Sequence, residues 1–378
     1  MMATGPLLLA LSITALAWGV HGKKDVSGSA AVYLGQSRDA WRPLIHITVN
    51  LTKIRDIKSS FQLRTYDPEG IIFYGDTKDG KDWFILSLKD GIPLMQLSRS
   101  GVLVNVAGGP KLNDGRWHTL ELSNHGHFVI LDVDGSRGLF MGVRSDTSEE
   151  VISGSLRLAL GGILIPRERL FVEFEPQMDA CVREGRWLNL SIPWETDAEE
   201  LRPCYENIRP GSFFPGNGLA IVNASAVLQV HRKRSVTIEL WGDFTKMDGT
   251  ILSVRTPGQP LMFSLSAHND TKKVTVLFGG HVLSVKDNFK KLAMIFRTGL
   301  LEVRHGGDES HFLGLPENSG LLDELRGSRI AIGGLLGEDD AGSHFLKGCL
   351  EKVQIQGKDV DFDRAIKHQS ISSHSCPI

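Results

Sequence analysis

The thirteen histidines of this chain are scattered, mostly beside Gly or Ser, and suggest no base–nucleophile pair. HExxH, GxSxG, a phosphate loop and GxGxxG are all missing, so catalysis has no foothold in the sequence. With no CxxC and no Cys/His cluster, zinc and thiol chemistry are poorly supported. What remains is a small set of polar residues placed by strand parity. Ser59, Phe61 and Leu63 share one face of a strand, and Ser60, Gln62 and Arg64 share the other. Ser59 therefore lies on the apolar side, where an unpaired hydroxyl costs about 1–3 kcal/mol, so either a ligand or a nearby backbone carbonyl must satisfy it. Asp82 has the parity of Phe84 and Leu86 and begins an inward row, unless it is a solvent-covered turn acid of Lys78-Asp-Gly-Lys-Asp82. If Asp90-Gly91 is a two-residue turn, pairing counts back as 88 with 93, 86 with 95, 84 with 97 and 82 with 99. Asp82 then faces Arg99 in a cross-strand ion pair worth about 0.2–1 kcal/mol if exposed. The alternative for Arg99 is a side chain that snorkels to water, with only its stem on the rim. Asp67-Pro-Glu69-Gly70 offers two hard oxygens to calcium, with carbonyls and water completing the shell; it is equally a type I turn sequence that needs no metal.

The elements that must hold these residues are strands. Period-two patterns dominate: Phe84, Leu86 and Leu88; Leu120 and Leu122; Val129, Leu131 and Val133, ending at Asp134-Gly135. Helical periodicity is scarce, with short helices expected only near Glu199–Leu201 and Phe362–Lys367. Many short strands between Gly, Asp and Asn turns indicate an all-β sandwich or barrel. Arg157-Leu-Ala-Leu-Gly-Gly-Ile-Leu164 is echoed by Arg329-Ile-Ala-Ile-Gly-Gly-Leu-Leu336, and each echo is followed by two cysteines. A repeat of that length means duplicated domains. The expected organisation is a signal peptide over 1–22, an N-terminal segment over 23–40, a first domain over 41–208, a linker over 209–217 rich in Pro and Gly, and a second domain over 218–378.

Composition fixes the compartment. At 378 residues with a formal net charge of −2, the chain lacks the basic footprint of nucleic-acid or anionic-membrane partners. Pro6 to Val20 is apolar, uncharged and short for a membrane span, and reads as a cleaved secretory signal; nothing else is apolar enough to insert in a bilayer. Four cysteines, Cys181, Cys204, Cys349 and Cys376, suit an extracellular protein. Three pairings exist, and the sequential one is preferred because it repeats in each half, each bridge adding about 3 kcal/mol. Sequons at Asn50, Asn189, Asn223 and Asn269 fit the same compartment, and alternation sets Asn50 on the wet face of its strand. Arg232-Lys-Arg234 reads as a solvated strand edge, and Glu149-Glu150 and Glu338-Asp-Asp340 as loops.

Asp114-Gly-Arg-Trp-His118, a hairpin ending in Val133-Asp134-Gly135, Leu160-Gly-Gly162 and a late cysteine together resemble the laminin G-like domain. Two such domains in tandem, the first carrying Phe61-x-x-Arg-Thr-x-Asp-Pro-Glu-Gly70 and Phe73-Tyr-Gly-Asp76, are similar to the sex hormone-binding globulin family. The second domain lacks the Asp-Gly-Arg-Trp-His segment. The resemblance implies two antiparallel β-sandwich (jelly-roll) domains, no enzymatic activity, no required cofactor, a calcium-bearing rim at Asp67 and Glu69, a homodimer, and an androgen or estrogen held non-covalently between the sheets of the first domain. It implies that Ser59 meets the carbonyl oxygen of the steroid A ring, that Asp82 meets the hydroxyl at the far end, and that Phe84, Val129 and Leu156 form apolar wall. Arg99 departs from the pattern, where an asparagine is usual, and Asn124 stands where the family pocket is apolar. The segment around Glu149-Glu150 aligns with a flap over the pocket. Arg99-Ser100 and Ser153 replace the histidines of the family's zinc contacts. The rival class is a calcium-dependent adhesion or receptor-ligand module working from the sandwich rim, which has no need of Ser59 and Asp82 on inward faces.

Overall fold

The computed structural model describes residues 31–36, 39–54, 57–77, 79–125, 128–142, 152–187, 195–196, 198, 201–223, 235–256, 261–306, 309–314, 321–336 and 344–378. The signal segment, Asn189, Arg232 to Arg234 and both acidic runs lie outside them. Alternating sequence becomes antiparallel sheet. The first sandwich contains β1 (Val32–Tyr33), β2 (Ile45–Ile54), β3 (Ile57–Thr65), β4 (Gly70–Thr77), β5 (Trp83–Lys89), β6 (Ile92–Arg99), β7 (Val102–Ala107), β8 (His118–His125), β9 (Phe128–Val133), β10 (Ser136–Gly142), β11 (Ile152–Leu160), β12 (Ala180–Trp187) and β13 (Glu195–Thr196). One sheet runs β1-β12-β3-β8-β9-β10 and the other β13-β2-β11-β4-β5-β6-β7.

Hairpin registers follow from turn chemistry. Asp90 (φ 54°) with Gly91 (φ 79°), and Asp134 (φ 50°) with Gly135 (φ 77°), supply the paired positive φ that a tight hairpin turn demands. Ser100 (φ 50°) with Gly101 (φ 80°) does the same between β6 and β7. The ladder from Asp90-Gly91 is the one counted from sequence, Leu88 with Pro93, Leu86 with Met95 and Phe84 with Leu97, but it stops at Trp83 with Ser98.

The second sandwich repeats the plan. Ser212–Pro215, Lys347–Ile355, Ser235–Gly242, Lys291–Arg297, Leu300–His305 and Glu309–Gly314 lie side by side in one sheet. The other holds His281–Lys286, Lys273–Phe278, Leu261–His268, Gly249–Arg255, Arg329–Ile332, Ala220–Asn223 and Ile366–Lys367. The stretch read as a linker is built into sheets: Ile208–Pro210 pairs with Ser375–Pro377, and Ser212–Pro215 with Lys347–Ile355. Likewise Val32–Tyr33, inside the expected N-terminal segment, pairs with β12. The helix expected near Phe362–Lys367 is instead a turn followed by a short strand, since Ile366 and Lys367 pair with Ile221 and Ala220. A helix forms at Leu321–Gly327, anchored by the buried Leu325.

Each sandwich closes on its own apolar interior. A third cluster lies outside the first sandwich, where Ile163, Ile165 and Phe174 cover Ile71, Tyr74, Trp83 and Ile85. Strands β4 and β5 are thus buried on both faces. Beneath this cover Asp76, 2% exposed, accepts from Arg157 Nε at 2.8 Å and from the Tyr74 hydroxyl at 2.7 Å. Bridges join Cys181 to Cys204 and Cys349 to Cys376, each with Cα atoms 6.0 Å apart, which is the sequential pairing.

Candidate functional site

Burial along the strands of the first sandwich is uneven. On β5, Leu86 and Leu88 are fully buried whereas Phe84 is half-buried; on β6, Met95 is buried and Leu97 half-buried. The same gradient separates Leu131 from Val129 on β9, Leu158 from Leu156 on β11, and Ile47 from Val49 on β2. All these half-buried residues still pack against the inner core. The interior is therefore fully buried at one end and partly exposed at the other. Leu158, Gly75, Phe84, Leu97 and Val104 form one row across the sheet; Val49, Leu156 and Thr77 form the next. Asp82 continues that second row, its carbonyl accepting from the Thr77 N–H at 2.9 Å.

The second sandwich shows what a filled interior looks like. Matching ladders place Val254 at the position of Gly75, Phe263 at Phe84 and Phe278 at Leu97. On the opposite sheet Ile238 corresponds to Ser59, Phe296 to Asn124 and Leu301 to Val129. Every one of those second-sandwich residues is 0% exposed. Phe296 lies edge-on to Phe263 and Phe278, with ring centroids 5.4 and 6.1 Å away. The first sandwich carries smaller side chains at five of the six positions, keeping only the phenylalanine. Gly75 and Leu97 were missed by reading each strand separately; aligning the two halves strand by strand would have found them.

Ser59 is 3% exposed, inward beside Phe61 and Leu63, and lies opposite Leu122 and Trp187. No described group hydrogen-bonds its hydroxyl. Asp82 is half-buried, and its Oδ1 accepts from the Ser100 N–H at 2.8 Å, which ties the end of β5 to the β6–β7 turn. The expected Asp82–Arg99 ion pair is not made, because the ladder ends one residue short and the backbone donor of the positive-φ turn reaches the carboxylate first. Arg99 is half-buried and pairs through its backbone with Val102. Phe84 packs on Phe73 at 6.5 Å between centroids, and Leu156 and Val129 line opposite sheets.

The calcium candidates have other partners. Asp67 is 0% exposed, its oxygens taking the Glu69 N–H at 3.0 Å and the Asp179 N–H at 2.8 Å. Glu69 turns to the Glu175 N–H at 3.1 Å and to Lys89 at 3.9 Å. Asp67 lies at a junction between the sandwiches, beside a cleft of about 440 Å³. His374 Nε2 lies 3.6 Å from Asp67 and 2.6 Å from Asp363, and Lys367 pairs with Asp363 at 2.7 Å. Asp179 accepts from the His374 and Ser375 N–H groups at 2.8 and 3.0 Å, and Tyr33 meets Ser372 at 2.9 Å. Burial opposes charge on His374, but Asp67 and Asp363 outweigh it and raise its pKa to about 10. Burial likewise opposes charge on Asp363, and His374 with Lys367 holds it well below the carboxylate range. Burial pushes Asp67 up to about 8. These partners are some three hundred residues apart in sequence, and no local pattern announces them.

The Asp-Gly-Arg-Trp-His segment is a brace. His118 bridges Asp134 at 2.8 Å and Asp114 at 3.0 Å, locking the turn before β8 to the β9–β10 turn. Trp117 lies under the guanidinium groups of Arg64 and Arg183, at 4.7 and 4.0 Å. Of the sequons, Asn50, Asn223 and Asn269 are exposed.

Comparison with known proteins agrees with this architecture. The laminin G domain family model matches residues 63–192. Sex hormone-binding globulin of Oryctolagus cuniculus is 33% identical over 89% of this chain and 85% of its own length; that of Homo sapiens is 33% identical over 89% and 84%. Growth arrest-specific protein 6 of Mus musculus is 27% identical over 92% of this chain but 56% of its own length. Domains LG4-5 of the mouse laminin alpha1 chain superpose with a TM-score of 0.68 at 18% identity, covering 96% of this chain and 99% of that one. The protein is not an enzyme. With tandem laminin G-like sandwiches and a third of its residues shared along most of its length, the chain belongs to the sex hormone-binding globulin family.

Proposed function

We propose that the protein is a secreted, homodimeric carrier that binds an androgen or estrogen non-covalently inside its first sandwich and so regulates hormone transport and availability. The observation that carries this reading is the contrast between the two interiors: three packed phenylalanines fill the second, and the matching positions in the first are Gly75, Phe84, Leu97, Val129 and Ser59, whose hydroxyl no described group hydrogen-bonds. Ser59 donates to an oxygen at one end of the ligand. Asp82, in the outermost row, accepts from a hydroxyl at the other, and Arg99 lies at that rim. Nanomolar binding needs about −12 kcal/mol, which over on the order of 20 heavy atoms is about −0.6 kcal/mol per atom. That efficiency calls for a preformed, dry, mostly apolar cavity with few polar groups. The two bridges and the exposed sequons support secretion.

The test is native mass spectrometry and equilibrium dialysis of the full chain with androgens and estrogens. Saturable uptake of one steroid per first domain is expected. EDTA-sensitive binding of a glycan or receptor without steroid uptake would instead assign the protein to the adhesion class, with calcium at Asp67 and Glu69.

A further inference from the structure

We propose that the second sandwich holds a divalent transition-metal ion, zinc by ligand type, on His305, Glu309 and His311. His305 ends the strand Leu300–His305, and Glu309, opposite it in the ladder, begins the strand Glu309–Gly314, whose third residue is His311. Alternation puts all three on the face that carries Val303 and Leu313, with His305 buried, His311 half-buried and Glu309 exposed at the strand end. The two Nε2 atoms face each other at 3.1 Å, and a Glu309 oxygen lies 3.6 Å from the His305 nitrogen. All three ligand atoms fall within 4.8 Å of one another. Two imidazoles on one tetrahedral zinc, each at about 2.0–2.1 Å, leave their nitrogens about 3.3 Å apart. Two nitrogens and one carboxylate oxygen form a set suited to zinc, with water in the fourth position.

The duplicated fold shows that these histidines are not needed to build the hairpin. Register places Val133 at the position of His305 and Leu139 at that of His311 in the first sandwich, both buried. The second sandwich has exchanged two aliphatic residues for imidazoles, one of them 7% exposed, and set a carboxylate across from it. Phe289, 4.9 Å from the His305 ring, fixes that ring's orientation. An ion here pins the outer strand of the hairpin to the sheet.

Isothermal titration of the chelator-treated full-length protein with zinc chloride, compared with the double variant His305→Val, His311→Leu, decides the matter. That variant copies a pair the fold already accommodates, and its fold is checked by circular dichroism. Wild type should bind one more equivalent than the double variant, and Glu309→Gln should weaken that site by about tenfold or more. Cobalt(II) should give the intense visible bands of a tetrahedral ion in wild type alone. Equal zinc stoichiometry and affinity in wild type and double variant, or cobalt spectra that coincide, overturns the proposal and leaves the pair as a histidine–histidine hydrogen bond.

Discussion

Replacing Ser59 with alanine separates a ligand-binding hydroxyl from a structural one. The side chain is 3% exposed and no described group hydrogen-bonds it, so removing the oxygen breaks no hydrogen bond to a described residue. Ser59→Ala should therefore leave the stability of the empty protein unchanged within about 1 kcal/mol. Binding should weaken. A hydrogen bond contributes about 0.5–1.5 kcal/mol net, which at about 1.4 kcal/mol per decade is a loss of about 2- to 12-fold in affinity. The assay is equilibrium dialysis of a steroid bearing an A-ring carbonyl, in parallel with an analogue lacking that oxygen, alongside denaturant melts of the empty protein. The affinity loss should vanish for the analogue. Ser60→Ala, on the outer face of the same strand, should leave binding unchanged. If Ser59→Ala destabilises the empty protein by more than about 1 kcal/mol while affinity for both steroids is untouched, the hydroxyl is structural and the argument fails.

Leu97→Phe copies the second sandwich's Phe278. With room for a ligand in the first interior it should be stability-neutral or better and reduce steroid uptake more than tenfold, whereas overpacking of a filled core would cost about 1–3 kcal/mol in a thermal melt. Asp82→Ala should destabilise the β6–β7 turn by about 1 kcal/mol through loss of the Ser100 bond, while Arg99→Asn leaves stability unchanged; hydrogen exchange at Ser100 reports both. The domain junction should be pH-sensitive. His374 has a pKa raised from 6.5 to about 10, so its contribution is complete below 6.5 and disappears as pH climbs through 10. Asp67, raised from 3.8 to about 8, acts with the same sign, and Asp363, depressed, contributes only above the ordinary carboxylate value. Thermal unfolding should therefore occur at a lower temperature at pH 9.5 than at pH 6.5, and His374→Gln should flatten the difference; a higher melting point at pH 9.5 would contradict the assignment. Asp76→Ala should cost about 1–3 kcal/mol in denaturant melts, because it takes the counter-charge from the half-buried Arg157 and the acceptor from the buried Tyr74 hydroxyl.

Much of this was readable from residues alone. Parity set Ser59 inward, Asp-Gly pairs fixed two hairpins, the echo of 157–164 at 329–336 revealed the duplication, and one cysteine pair per half anticipated both bridges. These features are legible because each depends on a local rule: side chains alternate along a strand, and only certain residues tolerate paired positive φ. The Asp82–Arg99 pair failed although the count was right, since where a ladder frays depends on which backbone donor a turn presents. The helix expected at 362–367 gave way to pairing with a strand well over a hundred residues earlier, where sheet contacts outweigh weak local propensity. The surroundings of Asp67 were not legible, because nothing beside it in sequence says that His374 and Asp363 will close over it.

Sequence by itself therefore determined the all-β class, the duplication, the bridges and the face on which each strand residue lies. Only the tertiary structure decided which interior is filled, which carboxylates lose their water and which histidines meet. Those outcomes depend on the volume and charge that distant segments bring to the same point, and a strand's own period carries no information about what packs against it.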